Sequence, residues 1–150
     1  MPYIHGPVLP LVIEPVERTG RYTHMAKGDA PVWERFVERF GALYIGVAYD
    51  VALGGVGAPE GALRPDDARG WQYSTALKID ALLFGAGEIL IVEVRPHATV
   101  SALGAVIAYR LIAEREQLGD QPLRGAIVCA SIQVDVQWCA ERLGVGVFVV

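Results

Sequence analysis

Cysteine is scarce in this 150-residue chain, and the two that occur, Cys129 and Cys139, cannot make a disulfide framework. Cys129 lies in an apolar strand-like run and Cys139 in a helical one, and both read as buried thiols of a reducing compartment. No Cys/His spacing resembles a zinc site. Lysine is equally rare: Lys27 and Lys78 are the two among thirteen basic residues. The net charge of −4 supplies no global basic field for non-specific attraction of nucleic acid, although a local patch could still serve. No uncharged apolar run reaches the eighteen or more residues of a membrane span, which excludes that class of partner. A charged N-terminal region followed by an apolar core is missing too, so the expectation is a protein that is not secreted. The glycines at 54, 55, 57 and 61 are followed by no Lys-Ser/Thr and no helix, so they are no phosphate loop.

Apolar residues, by contrast, are plentiful at 53%. A chain of this length can bury a sizeable core as one domain. Residues 1–28 read as an N-terminal edge strand (8–13, with Pro10) and a basic arm carrying Arg18, Arg21 and Lys27. Residues 29–150 read as the main domain. Asp29 is expected to cap a helix that runs to Phe40, with Pro31 in its first turn and Trp33, Phe36, Val37 and Phe40 as its core stripe. A strand over 43–53 and a long Gly/Pro-rich loop over 54–70 follow, the loop read as a mobile rim. Then come a hairpin over 76–95, a helix over 99–118 with Leu103, Val106, Ile107, Leu111 and Ile112 inward, a strand over 124–130, a helix over 133–143 and a last strand over 145–150. The fold class is α/β: a single-domain mixed sheet flanked by helices. The apolar last strand is expected at a sheet edge, either covered or paired in a homodimer.

The hairpin holds the chemistry. Its strands are joined by Gly85-Ala86-Gly87, and antiparallel pairing brings the start of the first beside the end of the second. Asp80 and Glu93 therefore meet at one end of the sheet. Arg95, two residues beyond Glu93, shares its face. Two carboxylates and a cation are costly in an apolar sheet, and a divalent metal with a phosphate would account for them.

The element order, with Ile79-Asp80 on one strand and Glu93-Val94-Arg95 on the next, resembles the PD-(D/E)XK nuclease superfamily. Its motif is an Asp, a spacer, then Glu-X-Lys. A group of small phage-encoded proteins of that superfamily is similar through Thr23-His24-Met25, Val32-Trp33-Glu34-Arg35, Tyr49-Asp50, Ile91-Val92-Glu93-Val94, Ser101-Ala102-Leu103-Gly104 and Tyr109-Arg110. The resemblance implies an αβββαβ restriction-endonuclease-like core with an added C-terminal helix and strand. It implies DNA as partner, Mg²⁺ or Mn²⁺ as cofactor, Asp80, Glu93 and the Val94 carbonyl as metal ligands, and Glu34 as an assisting carboxylate. Arg21, Lys27 and Lys78 would contact nucleic acid. The compartment implied is the cytoplasm, that of the host if the chain is phage-encoded, or the virion.

Two positions depart from the pattern. Arg95 stands where the motif has lysine, and Ala105 where relatives often have Gln. Arginine keeps its proton at any working pH, so Arg95 can hold a phosphate but not take a proton from water. Lys78, two residues from Asp80, is a candidate replacement. Two functions stay open: metal-dependent hydrolysis of DNA phosphodiesters, and a nuclease-fold protein without cleavage that binds nucleic acid or serves in phage virion assembly. Tyr109 reads as a core residue with a satisfied hydroxyl.

Overall fold

The computed structural model describes residues 7–8, 10–22, 25–57, 61 and 64–150. Expectations for Thr23 and His24, and for part of the glycine-rich loop, lie outside them. The first helix, α1 (Asp29–Phe40), follows its apolar spacing: Trp33 and Phe36 are fully buried, with ring centroids 5.1 Å apart. Its N-cap is Gly28 rather than Asp29. Asp29 instead occupies the first helical position and is buried.

A 3₁₀ turn (Gly41–Leu43) shortens the expected strand, so β1 begins later, at Gly46–Leu53. The expected loop over 54–70 is corrected in its second half by a helix, α2 (Pro65–Thr75). Pro65 at its first position and Asp66 and Asp67 in its first turn are helix-start signals. With no buried residue, α2 has no apolar stripe to reveal it in sequence. The hairpin forms as expected from β2 (Leu77–Phe84) and β3 (Ile89–Ala98). Next come α3 (Val100–Arg115), β4 (Leu123–Ile132), α4 (Val134–Arg142) and β5 (Gly146–Val149). Leu111, expected inward, is exposed; the buried stripe of α3 runs through Ala102, Leu103, Val106 and Ala113, which share one helical face.

The five strands lie side by side in chain order. The β1–β2 and β2–β3 pairs are antiparallel, and the β3–β4 and β4–β5 pairs are parallel. Each parallel step is bridged by a helix, α3 and then α4, as a crossover requires. One face packs against α1 through Val47, Leu83, Val92 and Val128; Leu82, Ile91 and Ala113 pack on the α3 side. The α/β class and mixed sheet expected from the sequence are the ones observed.

Both edges are partly covered. Among the described residues, the segment before α1 forms no strand, only a bridge between Glu14 and Val47 and a hydrogen bond from the Val8 N–H to the Ala52 carbonyl. The pyrrolidine nitrogen of Pro10 has no N–H to continue a ladder. At the other edge lies β5, as expected, and Arg39 donates to the Val149 carbonyl at 3.2 Å. A charged side chain on an edge carbonyl blunts strand addition there. Cys129 and Cys139 are free thiols; Cys129 is buried as expected, whereas Cys139, on α4, is only partly buried.

Candidate active site

The β1–β2 pair breaks its alternation at one point. Counting by twos from Val47 and Ala81, which face α1, Val51 and Ile79 should face α1 too. Both pack instead with Ala48 and Leu82 on the α3 side. The break falls at Asp50, whose φ of 49° is left-handed, a conformation a non-glycine residue adopts at a cost. Asp80 lies opposite, between the pairs Tyr49↔Ala81 and Val51↔Ile79. The β2–β3 ladder ends at Ala81↔Val92, so the hairpin opens where Asp80 and Glu93 would pair next.

Asp80 closes that opening with its side chain: the Val94 N–H donates to Asp80 Oδ2 at 2.8 Å. In an extended strand the carbonyl of a residue points to the same side as its N–H, so the Val94 carbonyl also faces the gap. Burial pushes the Asp80 carboxyl above its usual range, the Val94 hydrogen bond opposes this, and the charge of Asp29 adds to the rise.

Glu93 is 2% exposed, and its Oε1 sits 2.6 Å from Arg95 Nη2. Glu93 Oε2 is buried without a hydrogen-bond partner among the described residues. Burial first, and the Asp80 charge second, push Glu93 up to about 7; Arg95 and the Tyr109 hydroxyl oppose the rise, and Asp29 adds to it. Tyr109 is half-buried and pushed up to about 12 by burial and by Glu93, so it stays neutral at any physiological pH.

The sequence-expected residues divide sharply. Asp80, Glu93, Val94 and Arg95 come together. Glu34 does not join them as an assisting carboxylate: its Oε2 pairs with Arg18 Nη2 at 3.3 Å, and Arg18 also reaches Glu38. The carboxylate that α1 brings is Asp29, whose charge raises both Asp80 and Glu93 and whose own pKa is raised by burial and lowered by Arg95. Its place just before Pro31 made it read as a cap. Lys78 does not take over the lysine role either. Its Nζ donates to the Tyr73 carbonyl at 2.9 Å and the Ala76 carbonyl at 3.3 Å, and it lies over the Tyr73 ring. The lysine thus sits at the C-terminal end of α2, where a cation suits the helix dipole. Arg21 is exposed and lines a cleft that reaches Asp80; Lys27 is exposed in the turn before α1. Among the described residues no group of three or more His, Cys, Asp or Glu side chains is arranged to hold a metal by itself. Asp80 and Glu93 would contribute two carboxylates, a number that suits Mg²⁺ or Mn²⁺, which keep several waters. The unpartnered Oε2 of Glu93 fits a cation better than it fits a closed ion pair.

Asp29 and Glu34 can be told apart experimentally. Asp29→Asn is expected to change divalent-metal affinity about tenfold, the size of effect that neighbours of metal ligands exert. Glu34→Gln is expected to leave it within about twofold, as for an exposed surface pair. Titration calorimetry with Mn²⁺ reads both. Equal effects of the two substitutions would remove Asp29 from the site.

Compared with family models, curated proteins and solved structures, the chain matches none of them.

Proposed function

We propose that this protein hydrolyses DNA phosphodiesters with a divalent metal at a PD-(D/E)XK-type site in which arginine stands for the motif lysine. The observation that carries the reading is the break in the β2–β3 ladder, where Asp80 and a Glu93 oxygen without a partner converge beside Arg95. The order α1-β1-β2-β3-α3-β4, with a small helix inserted and α4-β5 appended, supports a restriction-endonuclease-like core.

Asp80, Glu93 and the Val94 carbonyl would hold Mg²⁺ or Mn²⁺. Such an ion lowers the pKa of a bound water and neutralises charge on the phosphate. Arg95 is 40% exposed at its side chain and pairs with Glu93, and with that carboxylate engaged by a cation it would be available to a phosphate oxygen. Its guanidinium then binds two oxygens at once and stabilises the charge that develops there. It accepts no proton, so the water depends on the metal for its activation.

The Glu93–Arg95 ion pair favours a second reading: Arg95 is a permanent internal cation, and the protein binds nucleic acid or a phage virion partner without cutting. Supercoiled, linear and single-stranded DNA incubated with Mg²⁺ or Mn²⁺ separate the two readings. Cutting that vanishes with chelator and in the Asp80→Ala/Glu93→Ala double variant is the expected result. Folded wild-type protein that cuts none of the three would overturn the hydrolase reading.

A further inference from the structure

A cleft of about 300 Å³ opens beside Asp80, lined by Glu14, Arg21, Tyr22, Met25 and Tyr49 among others. Its aromatic walls meet at an angle: the Tyr22 and Tyr49 rings are 5.8 Å apart and inclined at 61°. Both are held in place. The Trp33 indole N–H donates to the Tyr49 hydroxyl at 2.9 Å, and the Thr19 N–H donates to the Tyr22 hydroxyl at 3.2 Å. Trp33 itself is fully buried, so the Tyr49 ring is anchored to the core and its orientation needs no ordering on binding.

A corner of two preset rings with a thioether beside it suits a flat aromatic ligand, which stacks on one ring and meets the edge of the other. Arg21 is exposed at this cleft and carries a fixed positive charge suited to a phosphate. Glu14 offers an acceptor to a ring or exocyclic N–H. Asp80, which the hydrolase reading places at the metal, lines the same cleft, so a base held here would belong to a nucleotide beside the reacting phosphate.

We infer that this cleft takes the base of a single unpaired nucleotide next to the scissile phosphate, so that the substrate is single-stranded DNA or a frayed end rather than continuous duplex. The inference rests on the hydrolase reading above. A base in duplex must leave its stack and its partner to enter, whereas an unpaired base does not. Stacking on an aromatic side chain then favours the single strand regardless of sequence.

Fluorescence anisotropy with a labelled single-stranded oligonucleotide and its duplex, in Ca²⁺, tests this. Wild type is expected to bind the single strand about tenfold more tightly than duplex, and Tyr22→Leu, which keeps apolar bulk, to lose about tenfold on the single strand alone. A strand abasic at every position should show a comparable loss, a measurement that needs no variant. Equal binding of strand and duplex, or a single-strand affinity unchanged to within about twofold both by Tyr22→Leu and by removal of all bases, would overturn the cleft assignment and leave the hydrolase reading standing. No binding to either DNA would overturn both.

Discussion

Glu93→Gln should make the metal-free protein more stable at pH 8 while abolishing its metal-dependent cleavage. The carboxyl is pushed from its ordinary 4.5 to about 7 by burial and by Asp80. Between those values the folded state holds a proton that the unfolded state releases, so stability is greatest in acid and falls as pH rises through about 7. At pH 8 the wild type therefore carries a penalty on the order of 3 kcal/mol, which the neutral isostere removes. Asp80, raised in the same direction, adds a loss of the same sign. Thermal melts in chelator at pH 5 and pH 8 read this: wild type should lose several degrees between them, and Glu93→Gln should lose fewer. Mg²⁺ or Mn²⁺ should restore wild type at pH 8, because an ion that binds only the folded state stabilises it, and should leave the variant nearly unmoved. A variant no more stable than wild type at pH 8 would mean that Arg95 already neutralises Glu93, which favours the non-cutting reading.

Asp80 separates two roles that a single substitution would confuse. Its Oδ2 accepts the N–H of Val94, a buried residue at the point where the ladder has ended. Asp80→Asn keeps an acceptor oxygen there and removes the charge, whereas Asp80→Ala leaves the Val94 N–H without its partner. An unmade buried hydrogen bond costs about 1–3 kcal/mol. The alanine variant is expected to unfold at lower urea than the asparagine variant by that amount. Neither should cleave DNA, because neither supplies an ionised ligand. Coincident urea midpoints for the two would show that water replaces the Asp80 oxygen at the opened hairpin and that the carboxylate holds nothing together.

Helices α1, α3 and α4 and the β2–β3 hairpin were legible in the chain because each depends on neighbours in sequence. Trp33, Phe36 and Val37 repeat at helical spacing, and Gly85 to Gly87 interrupt two apolar runs. The hairpin alone brought Asp80 and Glu93 to one end, since antiparallel pairing is a local consequence of the turn. Helix α2 escaped detection because it buries no residue, and the early start assigned to β1 overlooked the tight turn at Gly41.

The carboxylate pair, the arginine beside it and the layered α/β class are thus products of short-range pattern and readable from the residues alone. Which other groups meet them depends on how the elements pack. Asp29 comes from α1, which the chain must fold back across the sheet to place, while Glu34, one turn further along the same helix, faces Arg18. Lys78 shares a strand with Asp80 and is drawn away by the carbonyls of α2, an element the sequence did not reveal. The left-handed backbone at Asp50 breaks the β1 alternation opposite Asp80, and the Tyr22–Tyr49 corner adjoins it. Each of these rests on residues far apart in the chain whose proximity is set by packing, and periodicity carries no information about that.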